Sequence, residues 1–326
     1  MNIAIIGATG AVGQEFIKLI EQRKYNYKNI ILAASKNSIN KTISINNVDY
    51  KIWELNKELF DNQIDIAFFF VSSELSLEYS KYATSKNIIC IDNSSAFRYS
   101  KPLIIPEINM INSKELIIAN PNCATIILCM LLYPLSKISD IKRVVVSTYQ
   151  SVSGAGYKGL NELKEQINQY NQKEEIKNNY FKSKCLNNIF SHDSNIDQFN
   201  GYNQEELKII NETKKILNDN DLCITATCIR VPVFRSHCES VNISFKNDVK
   251  ESEIREALNN FPGIEIIDDR ENNSFPEPIK SENTDKIFIG RIRKDYSEYN
   301  SFNFFISGDQ LRKGAALNAI QIAENL

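Results

Sequence analysis

Histidine is nearly absent from this chain, with two residues, His192 and His237, among 326. Any reaction that needs an imidazole therefore has two candidates. There is no C-x-x-C pair, and the seven cysteines, at positions 90, 123, 129, 185, 223, 228 and 238, are odd in number. This argues against a disulfide framework or structural zinc and for the reduced thiols of a cytoplasmic protein; no metal site is expected. No apolar run is long enough to span a bilayer. The opening MNIAIIGATG lacks a basic n-region, so no export signal is expected. The formal net charge of -2 gives no footprint of a general nucleic-acid binder. What remains is a chain 43% hydrophobic and 24% charged, which is globular in composition and long enough for two domains.

Residues 2–6 read as a strand, followed by GATGAVG and a helical pattern from Ala11 to about Arg23. NIILAAS and IDIAFFFV continue as strands, ELSLEYSKYATSK as a helix and NIICID as another strand. Strands alternating with helices predict an α/β, Rossmann-like domain on a parallel sheet. Beyond Lys137 the pattern changes. IKRVVVSTYQSV, LCITATCIRVPV, CESVNISF and DKIFIGRIR are longer alternating strands, with helices expected around 157–170, 205–217 and 251–260. This predicts an α+β domain with a mainly antiparallel sheet covered on one face. The division expected is 1–122 completed by a C-terminal helix 309–326, and 123–308. QYNQKEEIKNNYFKSK, polar and low in complexity, reads as a solvated excursion.

Gly7, Gly10 and Gly13 follow one strand and open one helix as G-x-x-G-x-x-G, a variant of the dinucleotide fingerprint. Small residues let the backbone approach a pyrophosphate, and the helix N-terminus receives its charge. After the second strand, where NAD enzymes place an acid, the chain has Ser35, Lys36, Asn37 and Ser38. Hydroxyls and a cation suit a 2′-phosphate, so NADP is favoured over NAD.

In ANPNCAT, Cys123 stands behind a rigid turn at the start of a helix expected over Cys123 to Lys137. A cysteine is often no more than a small hydrophobe. A helix N-terminus, however, stabilises a thiolate and an oxyanion formed beside it.

The ordered set GATGAVG, DNSSAFR, PEIN, NPNCAT, QSVSGAG, NETKKI, IRVPVFRSH and GDQLRKGAA resembles bacterial-type aspartate-semialdehyde dehydrogenases along nearly the whole chain. The resemblance implies homodimers or homotetramers that use NADPH to convert L-4-aspartyl phosphate to L-aspartate 4-semialdehyde and phosphate. That reaction serves lysine, diaminopimelate, methionine and threonine biosynthesis. It makes Cys123 the nucleophile, His237 the general acid/base and Gln150 the residue that orients substrate. Arg230 would grip the α-carboxylate with a bidentate fork, Glu212 the ammonium and Lys215 the phosphate, with Arg98 and Asn122 completing the phosphate site. NADP would be held by Gly7, Thr9, Gly10, Ala11, Val12 and Gly13, by Ser35, Asn37 and Ser38, and by Ser153, Gly154 and Gln310. Without the resemblance, Glu212 and Lys215 read as a surface pair, and His192 has no support in any motif.

Two other readings stand beside this one. N-acetyl-glutamyl-phosphate reductase shares the thiol, histidine and nucleotide loop, but an N-acylated substrate has no ammonium for Glu212. A non-enzymatic NADP-binding regulator would have no need of Cys123, Gln150 and His237 together. The chain also departs from the pattern: the family often has arginine where Asn37 stands, and Glu74 follows the third strand where small residues with glycine are common. Both bear on the cofactor rather than on the thiol.

Overall fold

The structure is a computed structural model that describes residues 1–109 and 114–326. The chain divides into two compact units, Met1–Asn122 with Ala315–Leu326, and Cys123–Gly314.

In the first unit, strands β1 (Asn2–Ile6), β2 (Asn29–Ala34), β3 (Thr42–Ile45), β4 (Val48–Glu54), β5 (Ile66–Phe69), β6 (Ile89–Asp92) and β7 (Ile117–Ala119) form one sheet, ordered β3-β4-β2-β1-β5-β6-β7. All neighbours are parallel except β3 and β4. Helices α1 (Ala11–Gln22) and α2 (Ser73–Ser85) follow β1 and β5. The apolar stripe of α1, Phe16, Leu19 and Ile20, is buried with Ile5, Phe68 and Ile91. The C-terminal helix Leu317–Glu324 joins this core through Leu317 and Ile320. It is latched by Asn318, whose Nδ2 donates to Asn120 Oδ1 at 2.6 Å, and by Arg23, which pairs with Glu324 at 2.7 Å.

The β3–β4 hairpin occupies a stretch to which the sequence reading assigns no element. Its turn is Asn46-Asn47, both left-handed, with φ of 50° and 64°. Asparagine tolerates that region, and two such residues match the twist of a hairpin.

The second unit opens with α3 (Cys123–Ser136) and continues through β8 (Ile141–Gln150), α4 (Gly156–Asn171), β9 (Phe190–Ser191), α5 (Gln204–Leu217), β10 (Cys223–Arg230), β11 (His237–Phe245), α6 (Glu251–Asn259), β12 (Ile264–Ile266), β13 (Ile287–Lys294) and β14 (Ser301–Gly308). The sheet order is β12-β13-β14-β11-β8-β10-β9. The β8–β10 and β12–β13 pairs are parallel and the others antiparallel. β14, buried at Phe302, Phe304 and Ile306, is a central strand absent from the sequence reading. Every residue of α3 from Ala124 to Leu132 is buried, so this helix lies inside the unit rather than on it.

The expected division put 309–314 in the first domain, but that segment groups with the second unit. The reason is local bonding: Arg235 Nε donates to Asp309 Oδ2 at 2.7 Å, and the Ser236 N–H donates to Gln310 Oε1 at 2.8 Å. The expected helix 309–326 is likewise shorter. A π-helical turn, Arg312–Ala316, precedes the regular helix.

Candidate active site

Strand register assembles the site. Arg230 at the end of β10 is the partner of Gln150 at the end of β8. On the other side of β8, Cys238 pairs with Tyr149 and Glu239 with Thr148, so His237 begins β11 at the same sheet edge. The turn after β8 binds these ends together. Ser151 N–H and Ser151 Oγ each lie 3.1 Å from His237 Nδ1, and Ser151 O accepts from Arg230 Nη1 at 2.8 Å. A Cβ added to Gly154 would stand 3.1 Å from Arg230 Nη1 and 3.2 Å from His237 Nε2. Only glycine leaves that space to a ligand.

The thiol reaches the same place by a second route. Cys123 is the first residue of α3, and a Cβ on Gly314 would lie 3.0 Å from Cys123 Cβ and 3.4 Å from Gln310 Cβ. Gln310 donates to Ser153 Oγ and accepts from the Ser236 N–H beside His237. Cys123 is half-buried, and none of the seven cysteines is in a disulfide. Burial pushes the thiols of Cys129 and Cys228 up, and that of Cys238 up to about 12, so these are poor nucleophiles.

The Ser151 N–H can only donate, so His237 Nδ1 accepts and the ring proton sits on Nε2. Nε2 is buried with no hydrogen-bond partner among the described residues and faces the Gly154 turn. Burial and then the Arg230 charge push the His237 imidazole down to about 3, against the pull of Glu205. It is a neutral donor at working pH. Two residues along β11, Glu239 is fully enclosed, neither carboxylate oxygen has a hydrogen-bond partner among the described residues, and burial raises it well above the carboxylate range.

The substrate-side residues fare differently from one another. Arg230 is held on three sides: by Ser151 O, by His192 Nε2 at 2.8 Å from Nη2, and by the Phe181 ring 5.5 Å away. Gln150 Nε2 donates to Glu205 Oε1 at 3.3 Å. Glu212 and Lys215 do not form a surface pair. Glu212 is fully buried, and Lys215 is partly buried, its ammonium pushed down by burial and drawn up by Glu212. The α5 face that carries Glu212 packs inward against α3, where Thr213 Oγ1 meets Cys129.

The remaining candidates belong to the first unit. Arg98 is buried and donates from Nε to Asn120 O at 3.1 Å and from Nη2 to Asn93 O at 2.8 Å, bracing the backbone that leads to buried Asn122. The loop over Gly7, Thr9, Gly10, Ala11, Val12 and Gly13 fits a dinucleotide. Gly7 has φ +90°, and a Cβ there would meet Phe70 O at 2.3 Å; a Cβ on Gly13 would meet Gly7 O at 2.3 Å. α1 begins at Ala11, so its N-terminus opens on this turn. Thr9 Oγ1 lies 3.4 Å from Ser38 Oγ, which is buried, whereas Ser35, Lys36 and Asn37 are exposed.

Sequence reasoning missed Ser151, Phe181, His192 and Glu205. Ser151 lies within the QSVSGAG motif, whose Ser-Gly turn drew the attention. Phe181 sits in the excursion read as solvated, yet it is buried with Val152, Leu163 and Cys185. Arg235, within the IRVPVFRSH motif, anchors Asp309.

The profile for the semialdehyde dehydrogenase NAD binding domain matches residues 2–116, and that for the semialdehyde dehydrogenase dimerisation domain matches 132–313. The chain is 42% identical over 335 residues to the aspartate-semialdehyde dehydrogenase of Prochlorococcus marinus, covering 100% of this chain and 96% of that one. It is 44% identical over 340 residues to that of Helicobacter pylori, covering 99% and 97%. A crystal structure of aspartate semialdehyde dehydrogenase II from Vibrio cholerae, complexed with ASA, superposes with a TM-score of 0.94 at 34% identity, covering 100% of this chain and 97% of that one. With both domain profiles matched in order and full-length relatives above 40% identity, the chain belongs to the aspartate-semialdehyde dehydrogenase family.

Proposed function

We propose that this chain reduces L-4-aspartyl phosphate to L-aspartate 4-semialdehyde with NADPH, through a thioester on Cys123. The observation that carries this reading is the convergence of Arg230, Gln150 and His237 on one sheet edge, with Cys123 brought to them through Gly314 and Gln310. Arg230 grips the α-carboxylate, Glu212 meets the ammonium, and Lys215 takes the phosphate with Arg98 and Asn122. Gln150, fixed by Glu205, orients the acyl carbon. The Cys123 thiolate attacks that carbon. A C–S bond forms, the C–O bond to phosphate breaks and phosphate leaves. NADPH, when bound, supplies the hydride that reduces the thioester. His237 donates a hydrogen bond from Nε2–H to the oxyanion formed at each stage, from a site already shielded from water. Collapse of the second oxyanion releases aldehyde and returns the thiolate. A rise in nicotinamide absorbance with phosphate, aspartate semialdehyde and NADP tests the whole reading; no rise with a folded sample overturns it.

Gly7, Gly10 and Gly13 would hold the pyrophosphate, Ser35, Asn37 and Ser38 the adenosine ribose and its 2′-phosphate, and Ser153, Gly154 and Gln310 the nicotinamide end. Because Asn37 offers no charge, NADP should be favoured over NAD by less than an arginine would give. Asn37→Arg adds an exposed fork and should raise the NADP-to-NAD ratio of kcat/KM about tenfold. An unchanged ratio in steady-state assays would remove Asn37 from the cofactor site.

A homodimer is the assembly we favour. The dimerisation-domain match covers the second unit, and the sheet face opposite α3 leaves Val145, Tyr149, Ile229 and Phe305 part-exposed. A cytoplasmic location fits cysteines that are in no disulfide. No helix among the described residues is long and apolar enough to cross a membrane.

A further inference from the structure

Arg230 Nη2 lies 2.8 Å from His192 Nε2 and 3.3 Å from Asp193 Oδ1. A guanidinium has donors and no acceptor, so His192 Nε2 must present a lone pair. The ring proton then sits on Nδ1 and is received by Ser194 Oγ at 3.1 Å, which itself accepts from the Glu205 N–H at 3.2 Å. The Ser194 N–H also lies 3.2 Å from Nδ1, but the guanidinium claims the other nitrogen and so decides the tautomer. His192 is fixed from its own backbone too, since its N–H donates to Cys228 O on β10 at 2.9 Å. An imidazolium is incompatible with this arrangement, because it would turn an N–H, and a positive charge, toward Arg230.

We propose that His192 is a positioning residue of the Arg230 clamp, and that its protonation loosens the clamp on the substrate carboxylate. The proposal rests on reading Arg230 as the carboxylate site. With Nη1 occupied by Ser151 O and Nη2 by His192, the guanidinium plane is set before substrate arrives, which is the condition for a bidentate grip. The charged groups facing His192 are Arg230 on β10, Glu205 and Lys208 on α5, Asp193 beside it and, further off, His237 on β11. Burial, Arg230 and Lys208 disfavour the imidazolium, and Glu205 and Asp193 favour it; the balance holds His192 below its ordinary range. The native clamp is therefore intact at neutral pH and weakens only on acidification.

The test is kcat and KM for aspartate semialdehyde across the acid range in full-length native protein, His192→Gln and His192→Phe. Native KM should rise on acidification. His192→Gln keeps an amide oxygen that can accept from Arg230 and cannot titrate, so its KM should stay near the native neutral value and lose the acid rise. His192→Phe removes the acceptor and should raise KM about tenfold at every pH, with kcat falling far less. A small aldehyde without a carboxylate should show none of these differences, which a merely structural role for His192 would not predict. A KM within about twofold of native in a folded His192→Phe protein, or a native acid rise in His192→Gln, overturns the proposal. If His192→Phe does not fold, the pH profile of His192→Gln decides alone. Arg230→Lys is the control for the underlying reading: unchanged KM there sinks the clamp itself, whatever His192 does.

Discussion

Cys123→Ser should lower turnover by at least about a thousandfold, equivalent to roughly 4 kcal/mol of barrier, while thermal unfolding stays within a few degrees of native. A serine hydroxyl is far from ionised near neutral pH, and the helix start that favours a thiolate cannot make an alkoxide. Oxygen for sulfur is a small change at a half-buried position, so the fold has no reason to fail. No other cysteine can take over. Cys90, Cys129, Cys185, Cys228 and Cys238 are buried, and exposed Cys223 begins β10 at the end away from Arg230. Near-native turnover in the serine variant would exclude a covalent intermediate on Cys123 and leave the geometry at Gly314 without a purpose.

His237→Asn should lower kcat by about a hundredfold to a thousandfold, the loss of one oxyanion donor, with KM for aspartate semialdehyde changed little. The asparagine can still accept from the Ser151 N–H, but it cannot place a donor where Nε2–H points. The variant should also differ in acid stability. His237 is held at about 3 in the fold, against an ordinary value of 6.5. Between those values the unfolded chain binds a proton that the folded chain refuses, so native stability falls as pH falls through that window. Asparagine does not titrate, so His237→Asn should unfold with less pH dependence there. Thermal melts at several acid pH values measure this. Parallel melting curves for the two proteins would mean that His237 is not buried in its neutral form.

Much of this was legible in the sequence, for reasons particular residues show. Gly7 and Gly13 announce their loop because neighbouring backbone would reject a side chain at either. His237 stood out because imidazoles are scarce here, and Cys123, one of seven cysteines, because it follows Asn-Pro-Asn at a helix start within a motif. Helices α4, α5 and α6 have apolar spacing that fixes type and extent to within a residue or two. The β3–β4 hairpin was hidden by short strands with polar outer faces and by Asn-Asn in place of a glycine turn. His192 was hidden for a different reason. Its role arises from tertiary contact with an arginine on another strand, and FSHDSN carries no local trace of it. Glu212 is an opposite case: without the resemblance its spacing to Lys215 reads as a surface pair, and only packing against α3 makes it interior.

The excursion after α4 touches the rest of its unit at a few fixed points. Glu162 accepts the Asn179 N–H through both oxygens, at 3.0 and 3.1 Å, and Gln166 Oε1 accepts the Cys185 and Leu186 N–H groups at 2.9 and 3.0 Å. Between these points lies Phe181, whose ring covers Arg230. Amide hydrogens in such a segment should exchange with solvent in a punctuated pattern, slowly at 179, 185 and 186 and rapidly at the residues between. Because the same pins set Phe181 against the guanidinium, a ligand that tightens Arg230 should slow those three amides together. The carboxylate site thus has a reporter that needs no turnover: deuterium uptake at three positions in a loop of otherwise ordinary polar sequence.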